Sequence, residues 1–310
     1  MRLAFFGTPE FAVPSLRALL GEGFEVVGVV TQPDRPKGRS RTTLHPPPVK
    51  HVAIAEGLDV FQPASPDDPD FLTAFRSLEP DLGIVVAYGH IFRPALLAMP
   101  RRGMINVHAS LLPALRGAAP IRHAIMQGIE ETGVSIMQLD EGMDTGPVLH
   151  RVATPIAPDE TAGELEERLA EFGALALVET LALMSADAIS PETQDAAKAT
   201  YAPKITQELA RIRWEEPSHR IARLVRALDP HPGGWSALHT QRVKLFGPRR
   251  ADRPPPSARP GEITATDPAL VIATGDGALQ FVDVQPAGKP RMGAGDWVRG
   301  RGASTGMRFA

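Results

Sequence analysis

No cysteine occurs in the 310 residues. This excludes disulfides, thiolate zinc sites, iron–sulfur clusters and cysteine nucleophiles, and makes the cytosol the expected compartment. No run approaches the ~18 uninterrupted apolar residues of a membrane span. The opening Met-Arg-Leu-Ala-Phe-Phe-Gly-Thr-Pro-Glu-Phe puts a turn and an acid where a signal peptide needs its apolar stretch. Neither export nor membrane anchoring is expected. Phosphate cradles are also lacking: Gly7-Thr8-Pro9 does not have the dinucleotide spacing, and Gly21-Glu22-Gly23 precedes a strand instead of following one. There is no G-x-S-x-G nucleophile motif, and the histidines other than His108 show no metal-ligand spacing.

What is present is an ordinary globular composition, 43% hydrophobic and 22% charged, at about twice the length of an average ~150-residue domain. Two domains are expected. The net charge of −3 hides an asymmetry: up to residue 203 there are 16 basic and 26 acidic residues, and after it 17 basic and 10 acidic. Clustered Lys and Arg gain free energy by releasing counterions from phosphates, so the second part reads either as a polyanion-binding segment or as a solvated basic surface.

Along the first part, short apolar runs at 3–6, 26–30, 82–86, 104–107 and 134–139 alternate with helical stretches at 11–20, 49–55 and 71–78. Such alternation predicts an α/β architecture with a mostly parallel sheet covered on both faces. Thr161 and Glu164 form a T-x-x-E capping box before Leu165, Leu169, Phe172 and Ala176, which recur at helical spacing. The helix they begin closes the domain near Met184. The following stretch has no sustained apolar period and reads as a linker, dividing the chain into 1–188, a linker at 189–204, and 205–310. The last part opens with a helix carrying Ile221, Leu224, Val225 and Leu228, stopped by Pro230 and Pro232. Short β-type runs at 235–239, 243–246, 263–265, 270–273 and 279–284 then suggest a small barrel or sandwich.

Two segments could carry chemistry. In Met104-Ile-Asn-Val-His-Ala-Ser-Leu-Leu-Pro113 the two-residue strand period puts Asn106 and His108 on one face of a strand end, where open α/β sheets bind ligands. An amide donor beside an imidazole suits a developing oxyanion, yet Asn-x-His also occurs as polar filler. In Gln138-Leu-Asp-Glu-Gly-Met-Asp-Thr-Gly-Pro147 a strand runs into a loop holding three acids and two glycines before its proline. Three readings stay open: a magnesium site without a phosphate motif to go with it, an acid, best Asp144, that orients His108, or an Asp-rich turn satisfied by its own amides. Separately, the 31–50 loop carries five basic residues and one acid at the end of the second strand. It reads as a solvated loop or as an arm that grips a nucleic-acid backbone.

Together the runs INVHASLLPALRGAAPI and GVSIMQLDEGMDTGPVL, with Asn106, His108 and Asp144, resemble the folate-dependent formyltransferases. The GTPEFAVPSL start, the TQPDRPKGR loop, the TYAPKI linker and the late QPAGKP extend that resemblance over the whole chain. It implies a Rossmann-like catalytic domain followed by a β-barrel resembling an OB-fold, with 10-formyltetrahydrofolate as donor, no metal, and an aminoacylated initiator tRNA as acceptor. By the same resemblance Asn106, His108 and Asp144 are the catalytic trio, and Ser110, Leu111, Leu112 and Pro113 lie on the folate site. The backbone of Gln138, Leu139, Asp140, Glu141 and Gly142 binds the pterin. Arg39, with Arg41 as a substitute in a loop about one residue longer than usual, and Lys204 face tRNA. A cytoplasmic monomer is expected.

The implied reaction is attack by the α-amino group of the esterified methionine on the formyl carbon. Rivals are the same chemistry with water or an amino-sugar nucleotide as acceptor, or a non-catalytic RNA-binding protein that leaves the trio without work. The basic loop and second domain favour tRNA.

Overall fold

In the computed structural model, which describes all residues except 37–42, 253–254 and 256, the chain divides into two units. One comprises residues 1–120, 131–155 and 166–203; the other comprises 121–130, 156–165 and 204–310.

The first unit is built on the apolar runs. Strand β1 (Arg2–Gly7) is buried from its second residue onward, as expected of a parallel strand covered on both faces. After it come helix α1 (Val13–Gly21), β2 (Glu25–Val30), α2 (Pro48–Ala55), β3 (Val60–Phe61), α3 (Pro69–Ser77) and β4 (Leu82–Val86). Prolines open the first turns of α1, α2 and α3, where the missing N–H costs nothing. The Asp68 side chain caps α3 by accepting from the amides of Asp70 and Phe71. Next along the chain are β5 (Met104–His108), α4 (Pro120–Gln127), which falls in the second unit after its first residue, β6 (Glu131–Gln138), β7 (Val148–Pro155) and the long α5 (Ala162–Ser185), which returns to the first unit from residue 166.

The sheet order is β3-β2-β1-β4-β5-β6-β7, parallel through β5 and antiparallel at β5–β6 and β6–β7. Strand order reverses between β1 and β4, so the ligand-binding crevice expected of such sheets opens at their carboxyl ends, one strand from β5. Gln32 ties these ends together: its Nε2 donates to the Tyr88 carbonyl at 2.8 Å and its amide to Thr8 Oγ1 at 3.4 Å. Phe6 anchors the same region in a cluster with Phe75, Tyr88 and Phe92.

Helix α5 covers the other face of β5. Gly173 lies so close that a Cβ there would stand 2.8 Å from the Val107 side chain; Asn106 and His108 alternate away from Val107. The capping box forms as expected: the Thr161 amide donates to Glu164 at 2.8 Å and the Glu164 amide to Thr161 Oγ1 at 3.3 Å.

In the second unit α6 (Ser218–Ala227) precedes β8 (Gly234–Leu238), β9 (Gln241–Arg250), β10 (Ile263–Ala265), β11 (Leu270–Ala273), β12 (Ala278–Pro286), β13 (Met292–Gly293) and α7 (Ala294–Arg299). The strands form one antiparallel sheet, ordered β8-β9-β12-β11-β10 with β13 on β12. Its core holds Ile221 and Val225 of α6 and an aromatic group in which Trp214 meets Phe281 and Phe309 with ring centroids 5.9 and 5.7 Å apart. No helix among the described residues is long and apolar enough to cross a membrane.

Candidate active site

Alternation along β5 delivers Asn106, half-buried, and His108, 6% exposed, to the end of the strand. The Asn106 carboxamide has no hydrogen-bond partner among the described residues. His108 has an acceptor at each nitrogen: Nε2 lies within hydrogen-bond distance of the Leu115 carbonyl oxygen, at 3.1 Å, and Nδ1 faces Asp144 Oδ1 at the longer distance of 3.7 Å. A carbonyl and a carboxylate only accept. The ring therefore satisfies both neighbours when it carries two protons, donating to Leu115 and paired by charge with Asp144.

Of the three acids in the 138–147 loop the structure singles out Asp144. Asp140 is consumed by its own turn, accepting from the Gly142 amide at 3.0 Å and from Thr145 Oγ1 at 2.7 Å, and Glu141 points to solvent. Asp144 takes a left-handed backbone conformation, φ 55°, one that aspartate tolerates better than most residues. Its Oδ2 accepts the Gly117 amide at 2.8 Å, leaving Oδ1 toward His108. Among the described residues no group of three His, Asp or Glu side chains could hold a metal ion.

The 110–113 loop is rigidly fastened. Ser135 of β6, fully buried opposite His108, donates to the Ser110 carbonyl at 2.7 Å and accepts the Leu112 amide at 3.0 Å. Ser110 Oγ donates to the Ala114 carbonyl at 2.6 Å, and Arg151 Nε to the Leu112 carbonyl at 3.0 Å. Beyond β6 the Leu139 amide is bonded to the Met104 carbonyl. The amides of Asp140 and Glu141 and the carbonyls of 139–142 form no hydrogen bond among the described residues, which leaves a row of donors and acceptors at the rim.

Arg39 and Arg41 lie outside the described residues. At the base of their loop Arg35–Pro36 pairs antiparallel with Leu44–His45. The loop's acid is used structurally: Asp34 accepts Lys50 Nζ at 2.9 Å and Gln62 Nε2 at 2.7 Å, bonds that hold its carboxyl below the usual range, Gln62 contributing most. Lys204 is exposed and forms no ion pair among the described residues.

Sequence reasoning did not single out Ser135, Gly117, Arg116 and Gln194. Gln194 belongs to the stretch expected to be a linker, yet it donates to the carbonyls of Asp144 and Gly146 and accepts from Arg116. Residues 200–202 run beside 113–119, with the Arg116 amide on the Thr200 carbonyl and the Ala202 amide on the Arg116 carbonyl. No local pattern announces these contacts.

A family model described as "Formyl transferase" matches residues 1–181, and one described as "Formyl transferase, C-terminal domain" matches 204–302. A protein of Bacillus licheniformis named methionyl-tRNA formyltransferase is 45% identical, covering 99% of this chain and 98% of its own. Proteins of the same name from Methylococcus capsulatus and Thermobifida fusca are 46% and 44% identical, covering 96% and 100% of this chain and 96% and 99% of theirs. Among solved structures, WlaRD, a sugar 3N-formyl transferase crystallised with dTDP and 5-N-formyl-THF, superposes with a TM-score of 0.69 at 17% identity over 94% of this chain and 99% of that one. HypX from Aquifex aeolicus in complex with tetrahydrofolic acid gives 0.66 at 20% identity, over 96% of this chain and 47% of that one. At such identities these two bear on the fold alone.

Proposed function

The chain belongs to the formyl transferase family in both of its parts, and from that premise we propose that it formylates the α-amino group of methionine on initiator tRNA, with 10-formyltetrahydrofolate as donor. The observation that carries the acceptor assignment is the full-length match to relatives named for that reaction, second domain included.

The folate supplies a formyl carbon activated by attachment to nitrogen. The residues present suit such a ligand. The free amides of Asp140 and Glu141 and the free carbonyls of 139–142 match the donors and acceptors of a pterin edge, and Ser110, Leu111, Leu112 and Pro113 form a fastened wall beside it. With Gln138, Leu139, Asp140, Glu141 and Gly142 they make up the proposed folate site.

The remaining chemistry belongs to this chain's own side chains. The unpartnered Asn106 carboxamide donates to charge developing on the formyl oxygen. A donor left free in the resting protein needs no bond broken before it can act. Protonated His108, between Leu115 and Asp144, adds a positive charge beside it. The Asp144 carboxylate keeps the imidazole oriented and accepts the proton lost by the attacking amine, directly or through a water. As the tetrahedral oxyanion collapses, the bond from the formyl carbon to the donor nitrogen breaks, and a proton goes to that nitrogen, so that it leaves neutral in tetrahydrofolate.

The excess of basic residues after 203 supports reading 205–310 as the tRNA-binding domain. We read its antiparallel sheet as an OB-fold-type barrel, because residues 308 and 309 bridge to Glu262 and Leu238, beside its two edge strands. Residues 1–188 form the catalytic domain and 189–204 the linker. Arg39, Arg41 and exposed Lys204 are assigned to tRNA phosphates. Because one chain contributes the whole trio, a monomer suffices, acting in the cytoplasm where translation starts.

The test is formyl transfer by the purified protein from 10-formyltetrahydrofolate to charged methionyl initiator tRNA, compared with uncharged tRNA and with Asp144→Ala. Product only from charged tRNA and the intact protein is expected. Donor consumption with no acceptor present would identify a hydrolase, and no turnover of the donor would leave an RNA-binding protein.

A further inference from the structure

Behind the His108–Asp144 pair lies a buried polar network centred on Gln194 and Arg116. Gln194, 8% exposed, directs its Nε2 at two carbonyls of the acidic loop, Asp144 at 2.9 Å and Gly146 at 2.7 Å. One amide group thus grips the chain on both sides of Thr145. Its Oε1 accepts two N–H groups of Arg116, Nη2 at 2.7 Å and Nε at 3.1 Å. Arg116 is 4% exposed, and no carboxylate pairs with it among the described residues. A buried guanidinium without a counter-ion is costly, and an apolar side chain of similar length would fill the space at less expense.

The arrangement has a chemical logic that packing lacks. A carboxamide can face either way around, whereas a guanidinium only donates. Arg116 therefore forces the Gln194 oxygen toward itself and the NH2 toward Asp144. The Arg116 main chain is itself fixed between Thr200 and Ala202, and the next amide, Gly117, donates to Asp144 Oδ2. Gly117 has φ 116°, and a Cβ there would stand 2.9 Å from the Ala202 carbonyl oxygen, so this turn tolerates no side chain. Residues 116 and 117 thus hold Asp144 twice, at its carbonyl through Gln194 and at its carboxylate directly.

We propose that Gln194 and Arg116 are positioning residues that keep the Asp144 carboxylate aligned with His108, without touching the reacting atoms themselves. The proposal rests on the reading of His108 and Asp144 as the catalytic pair.

The experiment compares the wild type with the double variant Arg116→Met/Gln194→Met, Gln194→Glu and Asp144→Asn in the full chain, measuring kcat, both KM values, the pH–rate profile and the melting temperature. The double variant removes the buried charge together with its partner, so it should fold. Gln194→Glu gives Arg116 a counter-ion while replacing the donor that grips Asp144 and Gly146. For both we expect kcat to fall about 10- to 100-fold, the cost typical of misplacing a catalytic group by ~1 Å. KM for donor and tRNA should stay within about twofold, and the pH–rate limb governed by the His108–Asp144 pair should move. A purely structural role would lower the melting temperature and leave that limb in place. A folded double variant with wild-type kcat, while Asp144→Asn is inactive, overturns the proposal alone. An active Asp144→Asn overturns it together with the reading of the pair beneath it.

Discussion

Replacing Asn106 by alanine separates catalysis from stability more cleanly than any other change at this site. The carboxamide is half-buried on β5 and makes no hydrogen bond among the described residues, so its loss breaks no bond of the fold. Surface-type substitutions of this kind cost less than about 1 kcal/mol, which for a unit of this size is a melting shift of at most ~2–4 °C. Catalysis should suffer far more. Removing one oxyanion donor typically lowers turnover roughly 10²–10³-fold, about 2.7–4 kcal/mol of transition-state stabilisation. The assay is formylation of charged methionyl initiator tRNA under saturating donor, with donor binding measured separately and a thermal melt of the same preparation. The expected result is a fall in kcat within that range, donor affinity largely retained and an almost unchanged melt. A loss of less than about tenfold would remove Asn106 from the catalytic role. A large loss matched by an equally large fall in donor affinity would show that the side chain binds the donor instead of stabilising charge.

Lys204→Ala should raise KM for tRNA without changing kcat, and should make the slope of log(kcat/KM) against log salt shallower by about one; an unchanged slope would show that Lys204 meets no phosphate. Thr161→Ala should cost roughly 1 kcal/mol by dissolving the cap of α5, detectable as a lower denaturant midpoint. The Glu164 carboxyl is held below its usual range by the Thr161 amide first and its hydroxyl second. Its share of stability is therefore present above the ordinary glutamate range and is lost as pH falls through the lowered value. An NMR titration of Glu164 should move back up in the variant, and no movement would contradict the cap. Tyr88 is buried in the Phe6 cluster, its hydroxyl has no partner among the described residues, and burial pushes its ionisation up to about 12. Tyr88→Phe should therefore stabilise by about 1 kcal/mol, and a lower melting temperature would mean that the hydroxyl is bonded in solution.

Much of the scaffold was legible because the interactions that encode it are short-ranged. The buried run of β1, the Thr161–Glu164 box and the alternation that puts Asn106 and His108 on one face depend on residues at most four apart. A two-residue strand such as β3 has too little pattern to be seen, and β7 alternates too weakly in burial to announce itself. By itself the amino-acid sequence also determined the uneven charge of the two parts and, through the ordered motifs, the chemistry to look for.

The resemblance pointed to Asp144, but local spacing left the three loop acids alike, and the physical reason that Asp144 is the one facing the imidazole lies in the tertiary structure. Asp140 is captured by its own turn, whereas Asp144 is met by an amide 27 residues away. Tertiary structure alone decided that Gln194, in a stretch without periodicity, closes on the Asp144 carbonyl from 50 residues away and on Arg116 from 78. Contacts of such separation leave no trace in local spacing. They exist only after the sheet has brought the ends of β5 and β6 together, and the free energy that selects them is shared with the closure of the whole unit.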